Sequence, residues 1–286
     1  MGFDNLQAGA LRPWEGTGSY YEEPHLASFL GRVNYTYDDR YVLTVNARTD
    51  ASSKFGANHK WGFFPSVSAA WNVSSEQFMK QITWIDNLKL RLGYGLAGNQ
   101  GGIDSYTTMN LVRPNGVAPV GNSPVVTYET LRNINPDLKW EVKHTFNAGF
   151  DVGFYGNRLL LSVNYYNSKT TDMLYNYRVS VPPFTYNTLL ANIGSMRNSG
   201  TEISVGITPL KTKDMELNIN ANITFQKNKL LSLNGMYNGE YISASEYTVI
   251  AGLDGAGFHG GYNNIVYQIV GQPLGVFYLL TCTGLV

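Results

Sequence analysis

The sequence predicts an all-β fold, an antiparallel up-and-down transmembrane β-barrel, of which this chain would form a partial wall of roughly eight to ten strands with long extracellular loops. Three observations predict it. Apolar and polar residues alternate over many segments, several segments run for about ten residues without a turn signal, and the connections alternate between short and long. Strands of globular proteins average about 5–6 residues, whereas a transmembrane strand needs about 9–11.

Eight segments alternate with a period of two, the pattern of a strand that has one apolar face. In chain order they are Phe29–Tyr37, Tyr41–Ala47, Trp61–Val73, Leu88–Leu96, Trp140–Phe154, Leu159–Tyr165, Ile203–Ile207 and Met215–Phe225. Two residues break the alternation, because Phe64 falls on a polar face and His144 on an apolar one. One or two further strands are expected between Tyr262 and Val286.

The connections predict which end of each strand is which, because outer-membrane barrels have short periplasmic turns and long extracellular loops. The predicted short turns are Asp38–Arg40, Tyr155–Asn157 and Lys211–Asp214. The predicted long loops are Thr49–Lys60, Ala97–Leu138, Thr170–Gly200 and the stretch after Gln226. Ser74–Asn87 is expected on the short side as one or two helical turns, with Ser74 and Gln77 forming a capping box.

The alternation also assigns faces. Six charged residues should face the lumen: Arg32, Arg48, Arg91, Glu141, Lys143 and Asp151. Four aliphatic residues should face lipid: Val45, Leu90, Val142 and Val163. Outer-membrane barrels carry two aromatic girdles. We expect the periplasmic girdle to contain Tyr35, Tyr37, Tyr41, Trp71, Phe150 and Phe154, and the extracellular girdle Trp61, Phe63, Tyr94, Trp140 and Tyr165.

Composition excludes several classes. Lys and Arg total 21 and Asp and Glu total 21, so the net charge is zero, and no basic block exists to bind nucleic acid. The one cysteine, Cys282, excludes an internal disulfide framework and a Cys-rich metal site. The first residues lack the features of a signal peptide, and no run of 18 apolar residues predicts a membrane helix.

Local motifs give no evidence of catalysis. The segment Gly255–Gly260 matches G-x-G-x-x-G, but strand-like residues follow it and no acid comes after Asp254, so a dinucleotide site is not expected. Three triplets that match the N-glycosylation motif begin at Asn34, Asn72 and Asn222, inside predicted strands. We interpret these asparagines as polar residues that face the lumen. The histidines show no metal-ligand spacing. We therefore expect no enzymatic activity, no metal and no cofactor.

Several motifs resemble the SusC/RagA family of TonB-dependent outer-membrane transporters, and they occur in family order. They are residues 32–41 (RVNYTYDDRY), 48–56 (RTDASSKFG), 62–71 (GFFPSVSAAW), 88–95 with Gly98–Gln100, 135–141 (NPDLKWE), 165–174 (YYNSKTTDML), 198–203 and 271–278. Two departures stand out: Ala51 replaces the usual Gly of an Asp-Gly-Ser-Ser turn, and Thr281–Gly284 replaces a polar run ending in Asp-Gly.

The resemblance implies a TonB-dependent active importer of oligosaccharides, or less often peptides, in the outer membrane. It implies two partners beyond membrane lipid and substrate: a SusD-like surface lipoprotein that captures substrate and an inner-membrane TonB complex. It also implies a plug domain that blocks the lumen. The plug, the TonB box and the final strands have no counterpart here. Residues 27–286 are therefore expected to form part of a barrel, and residues 1–26 an extracellular loop or an incomplete preceding strand.

Six aromatic residues of the predicted loops could stack on sugar rings: Tyr106, Tyr128, Tyr175, Tyr177, Phe184 and Tyr186. They could instead pack against one another or against the lipoprotein, which is the interpretation that we favour. Two other functions remain open. A passive porin or adhesin barrel would share the strands but lack a plug. A soluble secreted carbohydrate-binding β-sandwich would also alternate, but it would bury its apolar face.

Overall fold

The computed structural model describes residues 21–244, 247–253 and 263–277. Gly255–Gly260 and Thr281–Gly284, with Cys282, lie outside these ranges. Within them, the strands are β1 (Leu26–Tyr37), β2 (Tyr41–Ser52), β3 (Trp61–Asn72), β4 (Ile85–Asn99), β5 (Val112–Val120), β6 (Ser123–Thr130), β7 (Glu141–Phe154), β8 (Leu159–Arg178), β9 (Thr188–Lys211), β10 (Glu216–Ser232), β11 (Asn234–Tyr237), β12 (Glu240–Ser243), β13 (Tyr247–Leu253), β14 (Asn263–Ile269) and β15 (Val276–Phe277).

Eight strands form one antiparallel sheet in the order β1-β2-β3-β4-β7-β8-β9-β10, so each of the eight predicted strands is confirmed. The hairpins β5–β6 and β11–β12 and the three-stranded sheet β13-β14-β15 are separate. Strands β14 and β15 lie where one or two more were expected. In the described part of the chain, the outer edges of β1 and β10 have no neighbouring strand, as expected of a partial barrel.

Tight turns connect strands at one end of the sheet, which we call the short-turn end. Asp38 and Asp39 link β1 to β2 with φ of 51° and 52°, and Arg40 N–H donates to Tyr37 O at 3.0 Å. Positive φ at both central positions is the I′ geometry that matches the twist of a hairpin, and Asp tolerates it better than most residues. The opposite, long-connection end carries the joins from β2 to β3, β4 to β7 and β8 to β9.

The largest difference from the predicted elements lies between Thr170 and Gly200, which was expected to be a loop. Here β8 continues to Arg178 and β9 already begins at Thr188. The two strands keep pairing after a register shift beside Asp172, whose φ is 54°. Alternation ends at this irregularity, which explains why the sequence pattern stopped short. In the same way, β5 and β6 occupy part of the predicted loop Ala97–Leu138.

The predicted capping box at Ser74 and Gln77 is wrong. The connection holds two 3₁₀ segments, Val73–Ser75 and Gln77–Gln81, and neither has a side-chain cap. The carboxylate of Glu76 instead accepts hydrogen bonds from Tyr41 Oη at 2.9 Å, Trp71 Nε1 at 3.1 Å and Arg40 Nη1 at 3.0 Å. These bonds, first that from Tyr41, lower the pKa of Glu76 and tie the β1–β2 turn to the β3–β4 connection.

Two buried clusters lie towards the long-connection end. The first consists of Phe55, Phe64, Ile103, Leu138 and Trp140, and the second of Tyr177, Leu189, Ala191 and Ile242. The aromatic rings of Phe55 and Trp140 are 4.6 Å apart, and those of Phe64 and Trp140 are 5.5 Å apart. Phe64 breaks the alternation because it packs into this cluster. No helix in the described ranges is long and apolar enough to span a membrane.

The first cluster corrects one face assignment. Trp140, expected in an aromatic girdle, is only 6% exposed, and its Nε1 donates to Lys60 O at 3.1 Å. Trp140 precedes the first residue of β7, so packing against Phe55 and Phe64 decides where its ring points. Val142, expected to face lipid, also touches this cluster, but unbroken pairing of β7 keeps it on the same face as Phe150.

Candidate functional site

Strand register separates two faces of the eight-stranded sheet. One row of directly opposed residues crosses it as Trp71, Leu90, Phe150, Val163, Ile203 and Ile223. We call the face that carries this row the apolar face. Val45 lies on it too, opposite Val33 and Val67. The large side chains here include many that are exposed to solvent in the isolated chain, such as Val45 at 42% and Ile223 at 52%.

The opposite face, which we call the polar face, carries side chains that pair with one another across strands. Arg32 Nε donates to Asn46 Oδ1 at 2.6 Å, and Asn46 Nδ2 donates to Ser66 Oγ at 3.0 Å, so one chain of bonds crosses β1, β2 and β3. Arg91 Nη2 donates to Asp151 Oδ1 at 2.9 Å. Charged groups can be kept on this face because each has a partner or water.

Arg48 and Asp50 form the pair nearest the long-connection end. Arg48 Nε donates to both carboxylate oxygens of Asp50, at 2.9 and 2.8 Å. Arg48 is exposed, whereas Asp50 is 6% exposed. The carboxylate therefore holds the guanidinium in a fixed position while part of it stays open to a solute. Arg is well suited to such a role, because its planar fork can bind a carboxylate or a carbonyl by two hydrogen bonds.

A cleft of about 600 Å³ opens on this part of the sheet. Its lining combines charged groups, amides and apolar walls: Leu26, Leu30, Gly31, Arg32, Asn46, Ala47, Arg48, Asp50, Phe64, Ser66, Leu96, Ala97, Gly98, Asn99, Gln100 and Trp140. A site of this kind suits a polar solute that also has apolar surface, such as a peptide or a sugar chain. Within the described residues, no group of three or more His, Cys, Asp or Glu side chains could hold a metal ion.

Three of the six aromatic residues predicted to contact substrate come together. Tyr175 and Tyr177 lie in β8 instead of in a loop, with ring centroids 5.3 Å apart, and Phe184 packs against the same cluster. Tyr177 is 0% exposed, and its hydroxyl has no hydrogen-bond partner in the described chain. Tyr177 is therefore part of a buried cluster and is not open to a solute. It lies beyond the register shift in β8, which the sequence pattern did not reveal.

The other three residues are held separately. Tyr106 Oη accepts a hydrogen bond from Glu23 N–H at 3.3 Å, and Tyr106 itself has φ of 62°. Tyr128 lies in β6 and is 60% exposed. The Tyr186 N–H donates to Asn133 Oδ1 at 3.1 Å. Tyr128 is the most open of the three described here, and a substrate-binding role for any of the six stays a prediction.

Sequence reasoning missed the residues that position the long connection, namely three asparagines. Asn133 Nδ2 donates to Tyr186 O and Thr188 O at 2.6 and 2.9 Å. Asn135 Nδ2 donates to Leu190 O at 2.9 Å. Asn192 Nδ2 donates to Lys139 O at 2.7 Å and to Asp172 O at 2.9 Å. This asparagine clamp (Asn133, Asn135 and Asn192) fastens residues 133–139 to β9. Of the three, only Asn135 lies in the motif at 135–141.

Glycine permits a second close contact in this region. The Gly56 N–H donates to Leu138 O at 3.4 Å, and a Cβ at Gly56 would lie 1.6 Å from Pro136 O. No side chain fits there, so the segments around residues 56 and 136 can meet only through glycine. The clamp and this contact together hold the β4–β7 connection against β9 and against the β2–β3 connection.

A sequence profile described as "TonB dependent receptor-like, beta-barrel" matches residues 2–281. The TonB-dependent receptor SusC of Bacteroides thetaiotaomicron is 34% identical over 247 residues, which cover 79% of this chain and 24% of that protein. The TonB-dependent receptor P26 of Formosa agariphila is 37% identical over 225 residues, covering 76% of this chain and 22% of that protein. The chain thus spans about a quarter of the length of these relatives.

Solved structures agree with this result. The structure of the RagAB peptide transporter superposes with a TM-score of 0.71 at 25% identity, covering 92% of this chain and 26% of that one. The RagAB peptide importer in its closed-closed state gives a TM-score of 0.69 at 25% identity, covering 88% of this chain and 25% of that one.

Proposed function

Because the chain belongs to the family of TonB-dependent receptor-like β-barrels and is SusC-like, we propose that it forms part of the wall of an outer-membrane importer of oligosaccharides or peptides. Residues 27–286 would form this wall, and residues 1–26 would be an extracellular loop or part of the preceding strand. Family members of this kind are receptors and transporters, and we expect no catalysis.

The observation that carries the proposal is the separation of the two faces. An unbroken apolar row crosses five adjacent strands from Leu90 to Ile223, while the arginines Arg32, Arg48 and Arg91 lie on the opposite face with polar partners. A sandwich would bury the apolar face against a second sheet. Across the described strands this face stays open, so we infer that lipid covers it and that the polar face lines the solute path.

The cleft beside Arg48 supports the inference that the polar face lines the solute path. It lies at the long-connection end, where a solute would enter, and it offers a fixed guanidinium beside the apolar surface of Phe64 and Trp140. Guanidinium groups bind carboxylates and peptide carbonyls, whereas aromatic faces bind the apolar faces of sugars. The similar solved structures are those of a peptide transporter and importer, which favours peptides; the resemblance of the sequence motifs favours oligosaccharides.

Energy coupling and substrate capture are proposed on the resemblance. The plug, the TonB contact and the SusD-like lipoprotein would be supplied by other parts of the protein or by partners. The long connections β4–β7 and β8–β9 would then form the surface on which a lipoprotein lid sits. A passive porin would need none of these parts.

Uptake by the source bacterium tests this function. We expect deletion of the receptor gene to abolish uptake of a labelled oligosaccharide or a labelled peptide, and the affected label identifies the substrate class. Dissipating the proton-motive force should stop uptake in the wild type, whereas continued uptake would indicate a passive porin. An intact receptor that is soluble without detergent would instead indicate the sandwich.

Two variants of the intact receptor link uptake to the cleft. The double variant Arg32→Ala and Arg48→Ala removes two guanidinium groups of its lining. The control, Lys80→Ala and Arg158→Ala, removes the same charge at the short-turn end. We expect reduced uptake in the first variant alone. Equal uptake in both variants would remove the cleft from the proposed path.

A further inference from the structure

A row of basic residues crosses the apolar face near the long-connection end. His144 on β7 lies directly opposite Lys169 on β8, Lys169 opposite Arg197 on β9, and Arg197 opposite Lys229 on β10. Lys227 lies on the same face of β10, two residues nearer the short-turn end. We call Lys169, Arg197, Lys227 and Lys229 the basic patch.

The basic patch shares a face with the apolar row. The register of β8, β9 and β10 is unbroken between Val163 and Lys169 and between Ile223 and Lys229, so alternate residues in these stretches point the same way. On β8 the order along this face is Val163, Tyr165, Asn167 and Lys169. On β10, Ile223 and Phe225 come before the two lysines. On β9 the order is Ile203, Thr201, Ser199 and Arg197, so all three strands change from aliphatic to cationic towards the long-connection end, and β8 and β10 carry an aromatic residue in between.

The arrangement is unfavourable without a counter-ion. Strands lie about 4.8 Å apart, and like charges directly opposite each other destabilise a sheet. All four side chains of the basic patch are exposed, and none forms an ion pair or hydrogen bond with the part of the chain that the structure describes. On the polar face, in contrast, Arg48 and Arg91 each have an aspartate partner. Among the described residues the basic patch therefore lacks a counter-ion, and an anion from outside the chain would supply it.

The height of the patch fits a lipid headgroup. Lys169 lies ten residues along β8 from Leu159, and Lys229 lies thirteen residues along β10 from Glu216. At about 3.3 Å per residue and a tilt near 45°, these distances correspond to heights of roughly 23 and 30 Å. The apolar band of an outer-membrane barrel is about 25 Å tall. The cations therefore lie at its extracellular rim, just beyond Tyr165 and Phe225.

We propose that the basic patch binds the phosphate groups of the phosphorylated glycolipid that forms the outer leaflet of such a membrane. The inference rests on the proposed function, because it requires the apolar face to lie against lipid. Arg197 can bind a phosphate by two parallel hydrogen bonds, while the three lysines supply mobile point charges around it. Clusters of Lys and Arg beside a membrane segment are the usual means of binding anionic headgroups.

The test uses the intact receptor purified in a neutral detergent, with binding of lipid A measured by native mass spectrometry. The first variant carries K169Q, R197Q, K227Q and K229Q. The control carries K80Q, R158Q, K211Q and K213Q, which remove the same charge at the short-turn end. Because each of the four cations contributes to binding a charged headgroup, we expect the first variant to bind phosphorylated lipid A roughly a thousandfold more weakly. The control should bind like the wild type.

Two further arms identify the ligand. Dephosphorylated lipid A should bind the wild type as weakly as phosphorylated lipid A binds the patch variant. Inorganic phosphate at a matched concentration should not displace the lipid; full displacement would show a general anion site and overturn the assignment. Equal binding of lipid A by wild type and patch variant would also overturn it.

Membrane insertion separates this inference from the function. One outcome is that the wild-type receptor reaches the outer membrane and imports solute while the four substitutions leave lipid A binding unchanged. In that case only the proposed role of the basic patch is wrong. If the wild type does not insert at all, the proposed function itself fails.

Discussion

Val163→Arg places a charge on the apolar face. Its effect on the free energy of unfolding tests whether that face lies against lipid. Val163 lies between Phe150 and Ile203 in the apolar row, four residues along β8 from Leu159. That distance corresponds to roughly 9 Å above the start of the strand at a tilt near 45°. Arg costs about 2–4 kcal/mol at the midplane and about 0–1 at the interface. We therefore expect Val163→Arg to cost about 2 kcal/mol, roughly thirtyfold in the folding equilibrium.

The adjacent residue gives a matched control, because Asn164 lies on the polar face of the same strand. Asn164 Nδ2 donates to Glu202 Oε2 at 3.4 Å, so an Arg there would meet a carboxylate and should change stability by less than about 0.5 kcal/mol. Both variants would be made in the intact barrel and refolded into lipid vesicles over a urea series. A cost at Asn164 that equals or exceeds the cost at Val163 would refute the assignment of faces.

Three other perturbations test the packing described above. Glu76→Gln should destabilise the barrel at neutral pH, because the lowered pKa of Glu76 means that its ionised form is stabilised by folding. The difference from wild type in urea titrations should be full above the usual Glu range and vanish as pH falls through the depressed pKa; a pH-independent difference would contradict this. Trp140→Ala should cost about 3–5 kcal/mol, since the ring is buried, whereas the exposed Trp61→Ala should cost far less in the same titration. Gly56→Ala should loosen the connection between β4 and β7 and speed its cleavage by protease, while Gly31→Ala, which has nothing within 4 Å of the added Cβ, should leave cleavage unchanged.

The sequence predicted the strands well wherever one face is apolar and the other polar. Alternation identified β1, β3, β4 and β7 to within about three residues of their ends, because a strand in contact with two different environments must repeat every two residues. It stopped short on β2, which runs five residues past the predicted Ala47 into the expected loop, and on β10, which runs seven residues past the predicted Phe225. Beyond the register shift at Asp172, β8 and β9 have loops and other strands on both sides. No environment there enforces the repeat, so the strands continue without a signal in the sequence.

The candidate site was predicted less completely, because its contacts join residues far apart in the chain. Tyr177 was predicted to be an accessible loop residue, and the structure buries it. No sequence pattern gave a reason to select Asn133, whose side chain bonds to residues more than fifty positions away. An asparagine that binds backbone groups resembles any surface asparagine until the fold brings its partner to it.

The strand order also bears on how the barrel assembles. Every neighbouring pair in the sheet is consecutive in the chain except β4 and β7, which are separated by residues 100–140. Closing that gap costs about 2 kcal/mol more chain entropy than closing a three-residue turn. We therefore expect β1–β4 and β7–β10 to form as two early blocks, with their joining as the slower step. The asparagine clamp can close only after that step, because it needs β9 already in place.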